Sequence, residues 1–130
     1  MSENVDLVRS IYTAIGRGDY SSAEWADPDI EYVVADGPEP TTVTGLDGMV
    51  EVMRSIFSAF EDVRTEAEDY LELDADRVLA LTKASGRGRT SGAQIGHMAA
   101  ELFEIHDGKV NRIVNYFDRG HAFADLGLAE

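Results

Sequence analysis

The chain has 130 residues and no cysteine, and its 25 acidic against 11 basic residues give a formal net charge of -14. This length is typical of one domain, and the lack of cysteine excludes disulfides, a thiolate nucleophile and cysteine-ligated zinc. So negative a charge repels phosphate backbones and anionic lipids, so nucleic acid and membrane surfaces are not expected partners. Without an apolar secretion signal or a run near the ~20 residues of a membrane span, we expect one cytoplasmic domain over residues 1–130.

The N-terminal third predicts two helical segments and a strand. Apolar residues at helical spacing indicate a helix over residues 3–16, which Gly16-Arg17-Gly18 ends. A short helical turn over residues 21–25 is expected to break at Asp27-Pro28, and a strand is expected over residues 30–35.

A second helix is expected to open at Gly45-Leu46-Asp47 and to face the core through an apolar stripe of Met49, Val52, Met53, Ile56 and Phe60. From Val63 the hydrophobic period changes to two, which predicts a half-exposed strand to about Leu73. After a turn at residues 74–76, another strand is expected over residues 78–86. The glycine-rich segment 87–92 is interpreted as a loop, with a lid as the minority alternative.

The last third predicts a hairpin of residues 95–105 and 110–117, with Asp107, Gly108 and Lys109 in the loop. In this register the opposed pairs are Glu104 with Arg112, Phe103 with Ile113, and Glu101 with Asn115. A one-residue slip would oppose Phe103 to Arg112, so we prefer the first register.

Both faces of this hairpin are largely apolar. His97, Ala99, Glu101 and Phe103 share the inner face with Ile113, Asn115 and Phe117. The outer face carries Met98, Ala100, Leu102, Val114 and Tyr116. Because N-terminal helices can cover only one face of a sheet, we expect the outer face to be covered in a homodimer.

The chain resembles the SnoaL-like branch of the nuclear-transport-factor-2-like superfamily over nearly its whole length. The segments that carry the resemblance are Gly16-Arg17-Gly18-Asp19, Trp25-Ala26-Asp27-Pro28-Asp29-Ile30-Glu31-Tyr32, Gly45-Leu46-Asp47-Gly48, Leu102-Phe103-Glu104-Ile105-His106-Asp107-Gly108-Lys109-Val110 and Asn115-Tyr116-Phe117-Asp118. The resemblance implies an α+β cone, in which a curved antiparallel or mixed sheet wraps on helices. It also implies a pocket at the wide end and a dimer across the outer sheet.

The superfamily includes isomerases, dehydratases, epoxide hydrolases, polyketide cyclases and non-catalytic binders, so the fold alone does not assign an activity. In relatives of limonene-epoxide hydrolase, an Arg and an Asp on the third strand work with an Asp on the last strand. By resemblance those positions are Thr82, Ala84 and Asn115 here. The Tyr of that family's water-positioning pair is retained as Tyr32, but its Asn partner becomes Val34.

Two further chemistries also lose a principal group. The base of ketosteroid isomerases would fall at Val33 or Val34, whereas their oxyanion-side carboxylic acid falls close to Glu101. SnoaL-type polyketide cyclases have an acid–base Asp where this chain has Asn115, and an amide cannot exchange a proton at useful pH. We therefore expect neither epoxide hydrolysis nor ketosteroid isomerisation of the known type.

The resemblance implies a mostly apolar pocket wall with a few polar groups, as is usual for small-molecule sites. The candidate catalytic residues are Glu101, His97 and Tyr32. The candidate ligand-binding residues are Val34, Ile56, Phe60, Gly86, Ala99, Ile113, Asn115 and Phe117. His97 lies four positions from Glu101, roughly 13 Å along a strand, so only a ligand could bridge them.

Several other residues are expected to be structural. Tyr12 and Trp25 are interpreted as core anchors, and Asp118 as the cap of a final short helix. His106 is expected to be solvated, and His121 to lie on that helix at the pocket mouth or in a dimer contact. No His-x-His pattern or carboxylate cluster indicates a metal, and no cofactor is expected.

Two functions remain open from the sequence. One is a domain that binds a small apolar molecule and transfers a proton on it, as in isomerisation, cyclisation or dehydration. The other is a non-catalytic ligand-binding or dimerisation module. A catalyst requires Tyr32, His97, Glu101 and Asn115 to converge, whereas a binder requires only the apolar wall.

Overall fold

The structure is a computed structural model that describes residues 3–16, 24–36, 40–58, 60–88 and 91–128. Its elements in chain order are α1 (Glu3–Gly16), β1 (Ala26–Val34), β2 (Thr41–Thr44), α2 (Leu46–Ser58), β3 (Phe60–Asp74), β4 (Arg77–Gly88), β5 (Gln94–His106), β6 (Lys109–Tyr116) and α3 (Arg119–Leu126). The strands form one sheet in the order β2-β1-β6-β5-β4-β3, in which β1 runs parallel to β6 and the other neighbours are antiparallel. The expected α+β class with a curved, mixed sheet is confirmed.

Helices α1 and α2 cover the inner face of the sheet. Val8 and Ile11 of α1 and Met49 of α2 are buried against strand residues such as Val78 and Phe103. Spacings of three and four residues place each helix's apolar side chains on one face. Each fully buried side chain of this size contributes roughly 1.5–3 kcal/mol to folding. The expected bounds of α1 and the start of α2 are confirmed.

The first strand begins earlier than expected. β1 starts at Ala26 and contains Pro28, where a break was expected. Its register with β6 shifts between Ala26 and Glu31, and such an irregularity is where a strand tolerates proline. Before it, residues 24 and 25 form a turn, and the rest of the expected helical turn, residues 21–23, lies outside the described residues.

Two assignments between β1 and β4 also differ from expectation. Helix α2 ends at Ser58, and Phe60 begins β3, where it pairs with Gly88 of β4. Placing Phe60 on the helix stripe was therefore wrong, because Phe60 is the first residue of the 15-residue strand β3 and pairs with β4. Strand β2 was not expected at all, since four residues are too few for a readable alternation.

The final hairpin confirms the expected opposed pairs but has a tighter turn. Asp107 and Gly108 both have positive φ and form a two-residue turn, so Lys109 pairs with His106 instead of lying in the loop. The register shifts after Ile105, which leaves Asn111 as an extra residue in a bulge. All three expected pairs form beyond that bulge. The extra residue in β6 shifts the pairing by one position, which gives the same register as a three-residue loop would have given.

The outer face is covered differently from what the sequence suggested. We use the name outer cluster for its buried residues Leu79, Ala100, Leu102, Val114 and Tyr116. Helix α3 and the segment after it cover this cluster with Phe123, Leu126 and Leu128, and Asp118 caps the helix through the amide of Gly120 at 3.2 Å. The cap is confirmed. The expectation that this face is open in a single chain is wrong, except at Met98, which is 46% exposed.

Within the described ranges, no helix is long and apolar enough to cross a membrane.

Candidate functional site

Strand register brings most of the expected wall residues to the inner face. Tyr32 and Val34 of β1 pair with Ile113 and Asn115 of β6, and Asn115 pairs with Glu101 of β5. Apart from Glu101 and Asn115, which keep some accessible surface, these residues are buried. The inner face therefore presents an apolar surface with a short row of polar groups across three strands.

The remaining wall candidates have different outcomes. Ala99 is buried beside Glu101 on β5, and Phe117 packs against the inner core. Gly86 lies on the inner face of β4, where it pairs with Ile95. The side chains of Ile56, Phe60 and His97 lie outside the described residues, so the bridging role of His97 stays a prediction.

The hydrogen-bond partner of Glu101 is Tyr12, which comes from α1. The Tyr12 hydroxyl donates to Glu101 Oε1 at 2.6 Å. The Tyr12 ring meets Phe103 edge-on at 5.9 Å between centroids and lies 6.4 Å from the Tyr70 ring. The expected role of Tyr12 as a core anchor is correct, but its hydroxyl also fixes the carboxyl group of the candidate site.

Asn115 bonds to a different partner from the one its cross-strand position suggests. Its side-chain nitrogen donates to the hydroxyl oxygen of Tyr32 at 3.4 Å, a long bond. Glu101 and Asn115 are opposed as expected, but their side chains bond to other partners, with Tyr12 donating to Glu101 and Asn115 donating to Tyr32. The polar row is therefore two neighbouring pairs.

Burial dominates the electrostatics of this row. It raises the pKa of Glu101, and the bond from Tyr12 opposes this rise by a smaller amount. Burial also raises the pKa of Tyr12 and of Tyr32, and the nearby charge of Glu101 adds to both shifts. Both hydroxyls therefore stay protonated at neutral pH and can act as donors, while Glu101 is the group whose proton is most readily exchanged.

Tyr12 is the site residue that sequence reasoning assigned only to the core. A tyrosine in the apolar stripe of a core-facing helix needs a hydrogen-bond partner for its hydroxyl. That rule indicates that a polar group lies opposite α1, but it does not say which strand supplies it.

The two histidines whose side chains the structure describes, His106 and His121, lie away from the polar row. His106 is exposed beside Asp107, as expected, and His121 bonds to Asp36 outside this row. Across the described part of the chain, no three side chains of His, Asp or Glu come together as metal ligands would.

Comparison with known proteins agrees with this architecture. Residues 8–113 match the family model of the SnoaL-like domain. An NTF2-like protein of unknown function from Burkholderia pseudomallei has a TM-score of 0.81 at 19% identity, covering 95% of this chain and 97% of its own. TerC, co-crystallised with polyporic acid, has a TM-score of 0.78 at 22% identity, covering 96% and 98%.

A third similar structure is a proposed SnoaL-like polyketide cyclase from Jannaschia sp. CCS1, with a TM-score of 0.74 at 16% identity, covering 98% of this chain and 93% of its own. No curated protein matches the sequence. Identities this low show a shared fold and not a shared activity. With the family model matching residues 8–113, the chain belongs to the SnoaL-like domain family.

Proposed function

We propose that this domain binds a small, mostly apolar molecule against the inner face of its sheet, and that Glu101 transfers a proton on that molecule. The reaction class is isomerisation, cyclisation or dehydration, carried out without a metal or an organic cofactor. The observation that carries the proposal is the Glu101 carboxyl group, held at 2.6 Å by Tyr12 in an apolar wall with its pKa raised by burial.

Two properties of Glu101 together indicate a recess beside it. Burial is the largest influence on its pKa, so protein surrounds the carboxyl group. The residue nevertheless keeps accessible surface, as does Asn115 opposite it. A carboxyl group desolvated by burial, in a residue that keeps accessible surface, fits the wall of a concave site, and apolar recesses with a few polar groups are usual for small ligands.

The hydrogen-bond directions leave suitable groups for a ligand. Among the described residues Tyr12 is the donor to Glu101, and it occupies Oε1, so Oε2 can face the ligand. Tyr32 accepts from Asn115, which turns its own hydroxyl proton away from that bond. Glu101 can then take up or return a proton while Tyr32 polarises a carbonyl oxygen of the ligand.

The structural relatives support a small-molecule site without specifying the ligand. TerC was co-crystallised with polyporic acid, and the Jannaschia protein is a proposed polyketide cyclase. By the resemblance, the positions of the groups that known chemistries of the superfamily use are occupied here by Thr82, Ala84 and Asn115. The proposed mechanism therefore relies on Glu101 instead.

Two further parts of the proposal concern assembly and location. A homodimer across the outer face is supported by Met98, which is exposed beside the outer cluster. A cytoplasmic location is supported by the absence of cysteine, which fits a reducing compartment.

The test is proton exchange on ring-fused ketones. The α-protons of 2-indanone and 2-tetralone would be followed by proton NMR in D2O with the wild type, Glu101→Gln and the matched variant Glu104→Gln on the outer side of the same strand. We expect the wild type and Glu104→Gln to accelerate exchange equally, and Glu101→Gln to lose about 10²–10⁴-fold of that acceleration, the usual contribution of a general base.

The same experiment separates the two candidate functions. Equal exchange rates for wild type and Glu101→Gln would contradict the role of Glu101. Saturable binding of a ketone without accelerated exchange would favour the non-catalytic binding module, in which Tyr12 only satisfies a buried carboxyl group.

A further inference from the structure

The connection from β6 to α3 contacts the side chain of Asp36, which lies two residues after the end of β1. Asp36 Oδ1 accepts from the amide of Phe117 at 2.6 Å. Oδ2 accepts from the amide of Asp118 at 3.3 Å and contacts His121 Nδ1 at 2.9 Å. The carboxylate of Asp36 therefore contacts three residues, Phe117, Asp118 and His121, in the segment that connects β6 on the sheet to α3 on the outer face.

His121 lies between two acidic groups on different elements. Its Nδ1 contacts Asp36, and its Nε2 is 3.9 Å from Oδ1 of Asp125, one turn further along α3. Its ring also meets the Tyr116 ring edge-on at 5.5 Å, and the Tyr116 hydroxyl donates to Asp125 Oδ2 at 3.2 Å. The imidazole thus connects the end of β1, β6 and α3.

Helix α3 depends on such attachments. It has eight residues, and an isolated helix shorter than about 12–15 residues is marginal in water. Ala122 is fully buried and Phe123 and Leu126 pack on the outer cluster, so this short helix is the cover of that face. Whatever holds α3 in place therefore controls the exposure of the outer cluster.

We propose that the contact between His121 and Asp36 is a pH-dependent latch, which holds α3 over the outer cluster while the imidazole is protonated and loosens when the proton is lost. The charge of the imidazole explains the switch. A protonated imidazole donates a charge-assisted hydrogen bond to Asp36 at 2.9 Å and attracts the carboxylate of Asp125 at 3.9 Å. A neutral imidazole keeps at most an uncharged hydrogen bond to Asp36 and no longer attracts either carboxylate.

The charges that face His121 give the direction of the effect. The hydrogen bond to Asp36 raises the pKa of His121, burial opposes the rise, and the charges of Asp125 and Asp118 add to it. Burial followed by the charge of Asp125 raises the pKa of Tyr116 to about 12, so that ring stays neutral. A histidine with a raised folded-state pKa stabilises below its unfolded value of 6.5, and this contribution is lost as pH rises through the folded value.

The first turn of α3 has a second attachment that does not titrate. Arg119 donates to the carbonyl oxygens of Thr82 at 2.8 Å and Ala99 at 3.3 Å, and pairs with Glu68 at 2.9 Å. An arginine keeps its charge over any pH at which the protein folds. Loss of the His121 proton should therefore loosen only the later residues of α3, from Ala122 to Leu126.

The test is amide hydrogen exchange of α3 between pH 5.5 and 8.5, expressed as protection factors so that intrinsic base catalysis is removed. In the wild type we expect the protection factors of residues 122–126 to fall on the order of two- to fivefold with rising pH. This is the size of effect that losing a partly exposed ion pair produces. In His121→Asn we expect the lower protection at every pH. His106→Asn is the matched control, because His106 is 74% exposed in the hairpin turn, and it should behave as the wild type.

A second measurement keeps the proposal testable if His121→Asn does not fold. The midpoint of the wild-type protection change should coincide with the midpoint at which the His121 ring protons titrate by NMR. Protection that is independent of pH, or a midpoint distinct from that of His121, would overturn the latch. Neither result depends on a ligand.

Discussion

Glu101 and Glu104 lie three residues apart on β5, on opposite faces of the sheet, and have different kinds of partner. Glu104 accepts from Arg112 at 2.8 Å, and the same guanidinium pairs with Glu31 at 2.9 Å. The bond to Glu104 raises the pKa of Arg112, so this cation persists. Glu101 has the neutral hydroxyl of Tyr12 instead, and burial raises its pKa.

The comparison shows that the partner, more than the residue type, decides what a carboxyl group can do. A guanidinium stabilises the charged form and joins three strands into a structural network on the outer face. A tyrosine holds a carboxyl group in position without supplying the full charge that would keep it ionised. The inner glutamate is thus suited to proton exchange and the outer glutamate to fixing strand register.

The largest expected effect is on the outer face, at Leu102, which follows Glu101 on β5. Leu102→Ala should lower the free energy of unfolding by about 2–5 kcal/mol, because Leu102 is buried in the outer cluster. Met98→Ala, on the same face but exposed, should change it by less than about 0.5 kcal/mol. Urea unfolding of both variants and the wild type measures this.

The same unfolding curves test the assembly. If α3 alone covers the outer cluster, the midpoint of wild-type unfolding should not change between two protein concentrations. A midpoint that rises with concentration would show that a second copy stabilises this face, as the homodimer proposal requires.

The intermediate effect concerns the pH dependence of stability. The folded-state pKa of Glu101 is raised above 4.5, so the folded state holds the proton more tightly and stability declines as pH rises from 4.5 through the folded value. Each unit of that rise corresponds to about 1.4 kcal/mol. Glu101→Gln should remove this decline, as measured by chemical unfolding from pH 4 to 9. An unchanged slope would contradict a buried, titrating Glu101.

Of the two glutamates, Glu104 is expected to give the smaller effect when it is replaced by glutamine. Arg112 keeps Glu31 after the substitution, and the pairs are partly exposed, so the loss should not exceed about 1 kcal/mol. The loss should shrink further at about 0.5 M salt, because salt screens exposed charges. A loss as large as that of Leu102→Ala would contradict the difference between the two faces.

Local patterns predicted much of the fold. The alternation in the final hairpin opposed Glu101 to Asn115, and this pairing is confirmed although the turn is one residue tighter than expected. Helix α1 was predicted with its observed bounds because its apolar spacing ends at glycine. In contrast, Phe60 fits a helical stripe equally well, and only pairing with Gly88 assigns it to β3.

The sequence by itself determined which faces are apolar and which residues share them, because side-chain periodicity is a property of neighbours along the chain. Only the tertiary structure decided which groups meet across elements. Tyr12 reaches Glu101 from a helix 89 positions away, and His121 reaches Asp36 from 85 positions away. Such contacts depend on how the helices lie on the curved sheet, and that placement makes one glutamate a candidate acid–base and one short helix the cover of the opposite face.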